Sequence, residues 1–298
     1  MKKYLCKFFK EFSYPEEACE LLEQTYDRIY SDESLKDEFE ELLKCYENQI
    51  DCDFSKLLEQ MTAISSKADI HVYTGNMLLL ICLSKTLKQY YLTAGVDEQI
   101  WFTSMCDLKY KLMECKCVYD IWGTFVPAWF GWFYSMRRFA FGKLQFEVIP
   151  FRRNYEKEGV VLTPDSRVIN VHIPRTGTRL DRAGLMESYR AAAEFYKNRP
   201  ASEFAGQPLA FVCHSWLLFP RNKEILSPQS NLRSFISDYD IIEQGVYDDY
   251  AEVWRLFDVN YNGDVEQLPQ DTSFRRAYAN WIRKGEKTGW GFGVFVYQ

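Results

Sequence analysis

The chain has three histidines, and two of them, His172 and His214, fall in runs that read as strands. Imidazole titrates near neutrality, so a histidine held by partners can act as a general base. His172 sits in VINVHIP (168–174), rich in β-branched residues and ended by proline, and His214 in the apolar run 209–218. Successive strand residues take opposite faces, so either His214 or its neighbour Ser215 interrupts a buried face. A core histidine bonded to backbone or to a polar neighbour is the plain structural alternative. Glu147 is the other candidate base, acting directly or through water; a solvated strand residue is its alternative. Cys213 beside His214 suggests a thiol–imidazole pair, but adjacent strand residues point to opposite faces and cannot form it. Ser215 as a hydrolase nucleophile would need a Gly-x-Ser-x-Gly elbow, and none surrounds it.

These residues must be positioned by a change of architecture along the chain. Up to about residue 121 the periodicity is helical. Pro15 followed by Glu16 and Glu17 makes a helix start, since proline suits the first turn and acids the positive end of the dipole. Leu22, Tyr26 and Ile29 then recur at helical spacing, as do Leu35, Phe39, Leu42 and Tyr46 behind Ser31 or Asp32, and Leu57 and Met61 in a third segment. Residues 69–92, ended near Gly95, and 97–117 predict two longer helices.

Near Gly142 the period becomes that of strands. Leu144, Phe146 and Val148 alternate with Gln145, Glu147 and Ile149. A charged turn is expected at 152–159, then the strand carrying His172, a helix at 180–198 and a doubly covered central strand at 209–218. Next come a short helix at 230–238, a strand at 240–245, a strand or short helix at 249–257, a helix at 274–284 capped by Asp271 or Thr272, and a closing strand at 290–297. This order predicts an α+β chain: a helical domain at 1–121 and a mixed β-sheet domain with packed helices at 122–298.

The 298 residues are 47% hydrophobic and 26% charged, a globular composition with a net charge of -6. That balance argues against a general nucleic-acid partner, which needs a basic face. Basic residues outnumber acids between Arg137 and Arg190, so a local pocket for one phosphorylated ligand is compatible with it. Nine cysteines at irregular spacing, without a signal peptide, predict reduced thiols in a cytoplasmic protein. Three histidines and a Cys115-x-Cys117 gap do not suit a zinc site, and no metal is expected. No apolar run has the length of a membrane span. The aromatic stretch from Trp122 to Gly142 reads as core or interdomain packing.

FGKLQFE (141–147), VINVHIPRTGT (168–178), FVCHSWLLFPR (211–221), SNLRSF (230–235) and LPQDTSFRRA (268–277) follow one another in the C-terminal half. In that order they resemble a bacterial family of acyltransferase-domain proteins, with a helical N-acyltransferase N-terminal domain and a GNAT-like C-terminal domain. The resemblance covers essentially the whole chain and implies an acyl-CoA-dependent N-acyltransferase. Acetyl-CoA or another acyl-CoA would be the co-substrate, and the acceptor an amine on a small molecule or peptide.

The resemblance also implies roles. GNAT enzymes hold the CoA pyrophosphate on backbone N–H groups where a central strand turns into a helix. The matching segment is Ile173, Arg175, Thr176, Gly177, Thr178 and Arg179, with Gly177 permitting close backbone approach and the two arginines adding charge. The usual Gly-x-Gly or Gly-x-Ala is here a single glycine. His214, Glu147, His172 or Ser215 would serve the amine side. A tyrosine protonates the leaving thiolate in many GNATs, and Tyr189 and Tyr278 are available for it. The rival reading is a GNAT-derived binding or interaction protein without catalysis, which a filled gap between the strands at 168–173 and 209–218 would favour.

Overall fold

Aspartates start most of the long helices of the N-terminal half. In the computed structural model, which describes residues 1–199, 204, 209–250 and 252–297, they lie at the N-caps of α3 (Glu33–Asn48), α4 (Phe54–Lys67) and α6 (Glu98–Tyr119). The Asp32 and Asp53 carboxylates each accept a backbone N–H at 3.1 Å and Asp97 does so at 2.7 Å. Pro15 precedes α2 (Glu16–Tyr30), and His71 Nδ1 caps α5 (Val72–Thr93) by accepting from Tyr73 N at 3.1 Å. A first helix, α1 (Lys2–Glu11), stands ahead of the proline start; it has no side-chain cap, and its signal in the sequence is the buried stripe Leu5, Phe8, Phe9 and Phe12.

Helix α5 is apolar on every side and buried continuously from Thr74 to Ser84, which puts it at the centre of the bundle. The aromatic stretch folds back on this bundle as a 3₁₀ turn (Pro127–Phe130) and the single-turn α7 (Gly131–Tyr134). Phe130, Phe133 and Tyr134 are fully buried, and the Tyr134 hydroxyl donates to the Leu80 carbonyl of α5. Among the described residues no helix is long and apolar enough to cross a membrane. The chain divides into two compact units, Met1–Phe139 and Ala140–Gln298.

The second unit is built on a six-stranded sheet. Its strands are β1 (Arg138–Phe141), β2 (Leu144–Pro150), β5 (Arg167–His172), β6 (Leu209–Ser215), β8 (Gly289–Tyr297) and β7 (Asp240–Val246), in that spatial order. β2 runs antiparallel to β5, β5 parallel to β6, and β8 antiparallel to both β6 and β7. Helix α8 (Arg182–Asn198) crosses over between the parallel strands. Its Tyr189 packs on Phe146, Phe211 and Phe295, and the Tyr196 hydroxyl donates to the Phe146 carbonyl at 2.8 Å. On the opposite face Val168, Ala210, Val212, Phe292 and Val294 form a second layer with Phe151, Tyr155 and Leu162.

Two local readings of the sequence change, and one with two alternatives is decided. The charged segment 152–159 is not simply a turn: Tyr155–Lys157 (β3) pairs with Val160–Leu162 (β4). Glu158 and Gly159 both have positive φ, +51° and +80°, as a two-residue hairpin turn requires. The central strand stops at Ser215, because the Ser215 hydroxyl accepts from Leu217 N at 3.1 Å and starts a 3₁₀ turn (Trp216–Leu218). Of the two readings of 249–257, the short helix holds: its described residues include one helical turn, α11 (Trp254–Phe257). Beyond these, α9 (Asn222–Ile225), α10 (Asn231–Asp238) and α12 (Ser273–Arg283) complete the unit; Val253, Phe257, Leu268, Tyr278 and Ile282 make a satellite core.

Candidate active site

β2 and β5 each place two polar residues on the sheet face away from α8. Register sets Glu147 opposite Asn170 and Gln145 opposite His172, so the four form one block. His172 Nε2 lies 2.9 Å from Glu147 Oε1, and Asn170 Nδ2 donates to the same oxygen at 3.0 Å. The Glu147 side chain is 6% exposed and that of His172 is 22% exposed. Asn170 Nδ2 also stands 3.1 Å from His172 Nε2. When Glu147 is ionised it only accepts, and in that state a proton on Nε2 is directed to it and Nδ1 is the basic nitrogen. The carboxylate thereby fixes both the tautomer and the ring orientation, the role an acidic partner plays for any histidine base.

His214 lies on the same face, one strand over, in register with Phe292 of β8, which is in turn in register with Glu243 of β7. Its ring meets Trp290 edge-on at 4.6 Å. Arg153 forms a two-pronged ion pair with Glu243 at 2.7 and 2.8 Å and stacks 3.9 Å over Phe292. Desolvation chiefly, and then the Arg153 charge, lower the His214 pKa, while Glu243 opposes them. An NMR titration of His214 should therefore show a midpoint below the usual histidine value, and Arg153→Met should move it upward. A midpoint unmoved by that change would remove Arg153 as a cause.

Ser215 faces the other way and is occupied as a cap. Cys213 is fully buried, its thiol pushed up to about 12 by burial. The Tyr189 hydroxyl shares a 2.6 Å hydrogen bond with Tyr239 in the core beneath α8, and burial raises the pKa of both Tyr189 and Tyr278.

Between β5 and β6 the pairing is short. Bridges join Ile169 to Phe211 and Asn170 to Val212. Beyond them β5 stays paired to β2 through His172, and β6 to β8 through Ser215. The parallel strands thus part after two rungs, with His172 on one arm of the fork and His214 on the other. Ile173, half-buried, leads from the β5 arm into the loop before α8. There the Thr176 and Thr178 hydroxyls meet at 2.7 Å, and Thr176 Oγ1 also accepts from Thr178 N at 3.2 Å. Gly177 has φ +74°, and a Cβ placed on it would touch nothing within 4 Å. Arg175 is ion-paired to Asp258, which also binds Arg275; Arg179 is exposed. Asp181 caps α8 by accepting from Gly184 N at 2.9 Å, and the Lys143 ammonium beside it, with that N–H, holds its carboxyl below the usual range. Asp271, a candidate cap of α12, instead pairs with Arg275 at 2.9 Å; Thr272 is the cap.

Two family models match end to end: an N-acyltransferase N-terminal domain over residues 4–136 and a GNAT-like C-terminal domain over residues 139–295. The chain belongs to this two-domain GNAT-like family. No curated protein gives a significant match. Among solved structures the GNAT-like chain resembles an acyltransferase in complex with decanoyl-CoA and teicoplanin, at 17% identity and TM-score 0.73, covering 98% of this chain and 87% of that one. A mutant acyltransferase in complex with octanoyl-CoA matches at 15% identity and TM-score 0.74, over 99% and 88%. An acyltransferase in complex with decanoyl-CoA matches at 16% identity and TM-score 0.64, over 99% of both chains. At these identities the likeness establishes the shared fold. Within the GNAT-like domain, Asn170 and Gln145 are site-face residues that a search for titratable groups passes over. Their signal is a polar residue two places before each acidic or basic candidate, on an otherwise apolar strand.

Proposed function

We propose that this protein transfers an acyl group from an acyl-CoA to an amine on a small molecule or peptide. The observation that carries this reading is the fork. Where β5 and β6 part after Asn170 and Val212, each strand turns an edge toward the gap. An extended amide-bearing arm such as pantetheine is recognised by such edges through main-chain hydrogen bonds. The loop 173–179 at the head of α8 would take the pyrophosphate, using backbone N–H groups and the positive end of the helix. The solved relatives of this fold hold decanoyl-CoA and octanoyl-CoA, and one holds teicoplanin as well, which favours a donor with a medium-length chain.

The Glu147–His172 pair supplies the base. As the amine nitrogen attacks the thioester carbon, a C–N bond forms and one amine proton passes to His172 Nδ1. Collapse of the tetrahedral intermediate breaks the C–S bond, and the proton held by His172 balances the departing thiolate. Glu147 stabilises the imidazolium in between.

Calorimetric titration with decanoyl-CoA and with CoA tests the donor site. Wild type should bind with a Kd of about 1–100 μM, a range typical of enzyme–substrate affinity. Gly177→Trp should weaken binding by about tenfold or more, since an indole there enters open space at the loop; each 1.4 kcal/mol is tenfold. Gly177→Ala carries the same positive-φ strain without the bulk and serves as the control. Failure of the wild type to bind any acyl-CoA would leave a member of the family with a different task.

A further inference from the structure

β8 is longer than the strand beside it. It stays paired to β6 through Tyr297, opposite Leu209, whereas β7 begins at Asp240, opposite Val294. Phe295, Val296 and Tyr297 therefore run on past the start of β7, about 10 Å of strand at the usual rise. Alternation along the ladder decides which backbone groups face that side. Tyr247 N donates to Thr288 O at 2.9 Å, one step past the paired residues Val246 and Gly289. In an antiparallel ladder every second residue turns its N–H and C=O the same way. Counted from Thr288, the residues facing β7 are Trp290, Phe292, Val294 and then Val296. Among the described residues no strand meets Val296 on that side. The edge borders a cavity of about 270 Å³. The β3–β4 hairpin walls it with Lys157, Glu158 and Val160, and the end of α10 with Ser237 and Asp238.

We propose that this slot docks an extended, basic peptide segment, which adds to the sheet in line with β7. The peptide residue opposite Val296 exchanges both main-chain hydrogen bonds with it, the usual mode of strand addition. Residues directly opposite across a ladder share a face, and Val296 packs with Val294 on the hairpin face. A lysine or arginine opposite Val296 therefore meets Glu158 and Asp240, while its two neighbours turn toward Ser237 and Asp238. The charges fit such a ligand. Glu158, Asp238 and Asp240 line the cavity against the single ammonium of Lys157, which pairs with Asp240 at 3.2 Å. Glu158 stands exposed at the hairpin turn, with no ion-pair partner among the described residues. A second copy of this chain, with its net charge of -6, is the less suited occupant. The slot lies at the Leu209 end of β6, whereas the fork opens toward Ser215, so this site does not depend on the acyl-transfer reading.

The test is fluorescence anisotropy with the full chain. The probe is a short fluorescein-labelled peptide amide with arginine at its centre, valine on either side and threonine at both ends. Wild type should bind it saturably, and added salt should weaken binding. Methylating the arginine backbone nitrogen removes one main-chain donor and should cost about tenfold, the scale of one lost hydrogen bond. Glutamate in place of the arginine should abolish binding. Val296→Pro removes an N–H that points into the slot and leaves the bonds to β6 in place, so it should also cost about tenfold with the Tm near that of wild type. Glu158→Lys, a change at an exposed turn, should cost about threefold or more. The N-methylated peptide and Glu158→Lys decide the matter even if Val296→Pro fails to fold. Absence of binding overturns the proposal, as does binding that neither the N-methyl group nor Glu158→Lys weakens. Self-association of wild type that Val296→Pro abolishes, without peptide binding, would make the edge a contact between copies of this chain and overturn it too.

Discussion

His172→Ala should lower kcat for acyl transfer by about 10²- to 10⁴-fold, the range a positioned general base contributes, while the Kd for acyl-CoA stays near that of wild type. On the proposed reading the two readouts separate, because His172 would serve the amine side of the fork, whereas the donor would be held mainly by the strand edges and the loop 173–179. Glu147→Gln should cost less. It keeps an acceptor oxygen 2.9 Å from the ring but no longer stabilises the imidazolium. For the same reason it should shift the acid limb of the rate profile to lower pH, since a neutral partner favours the charged ring less. Steady-state rates over pH with wild type and both variants would decide the matter. Full activity in both would remove the pair from the mechanism and return attention to His214.

The second large effect is on stability. Phe211→Ala should destabilise the C-terminal unit by about 3–5 kcal/mol in urea denaturation, the usual cost of deleting a buried phenyl ring. Phe211 is fully buried on the α8 face, with ring centroids of Tyr189 at 4.9 Å, Phe146 at 5.7 Å and Phe295 at 6.1 Å. It also forms one of the two parallel rungs that precede the fork. The cavity would therefore open beneath the point where the strands part, and acyl-CoA affinity should fall with stability. A cost below about 1 kcal/mol would mean that the surrounding rings close over the gap.

Much of this architecture was legible because it is local. The helical stripes such as Leu35, Phe39, Leu42 and Tyr46 behind Asp32 repeat within one segment, and the alternation in 144–150 and the β-branched run at 168–171 are strand patterns. Among the elements that escaped, α1 lacks a side-chain cap, and only its stripe Leu5, Phe8, Phe9 and Phe12 marks it. The β3–β4 hairpin hides in a charged segment, because its turn depends on two positive φ angles and only Gly159 announces one. An apolar run cannot show that β6 stops at Ser215, since Leu218 and Phe219 beyond it are buried as well. The candidate site divides along the same line. Glu147 and His172 stand out as titratable residues on strands. That they meet depends on register between segments 25 residues apart, and a slip of one residue would send one of them to the other face. Nothing in the composition of either strand fixes that register.

The arginine that introduces the loop does not wait unaccompanied. Arg175 shares the Asp258 carboxylate with Arg275, and Asp258 is held at the left-handed end of α11. An anion that engages Arg175 must therefore trade places with an internal counter-ion, whereas Arg179 beside it stands exposed. Asp258 keeps Arg275 when Arg175 turns away, so one of its two pairings is given up and the other is kept. Such a swap sets a threshold that an arriving anion must meet. A doubly charged pyrophosphate can repay the lost pairing, whereas chloride or a single carboxylate repays it poorly.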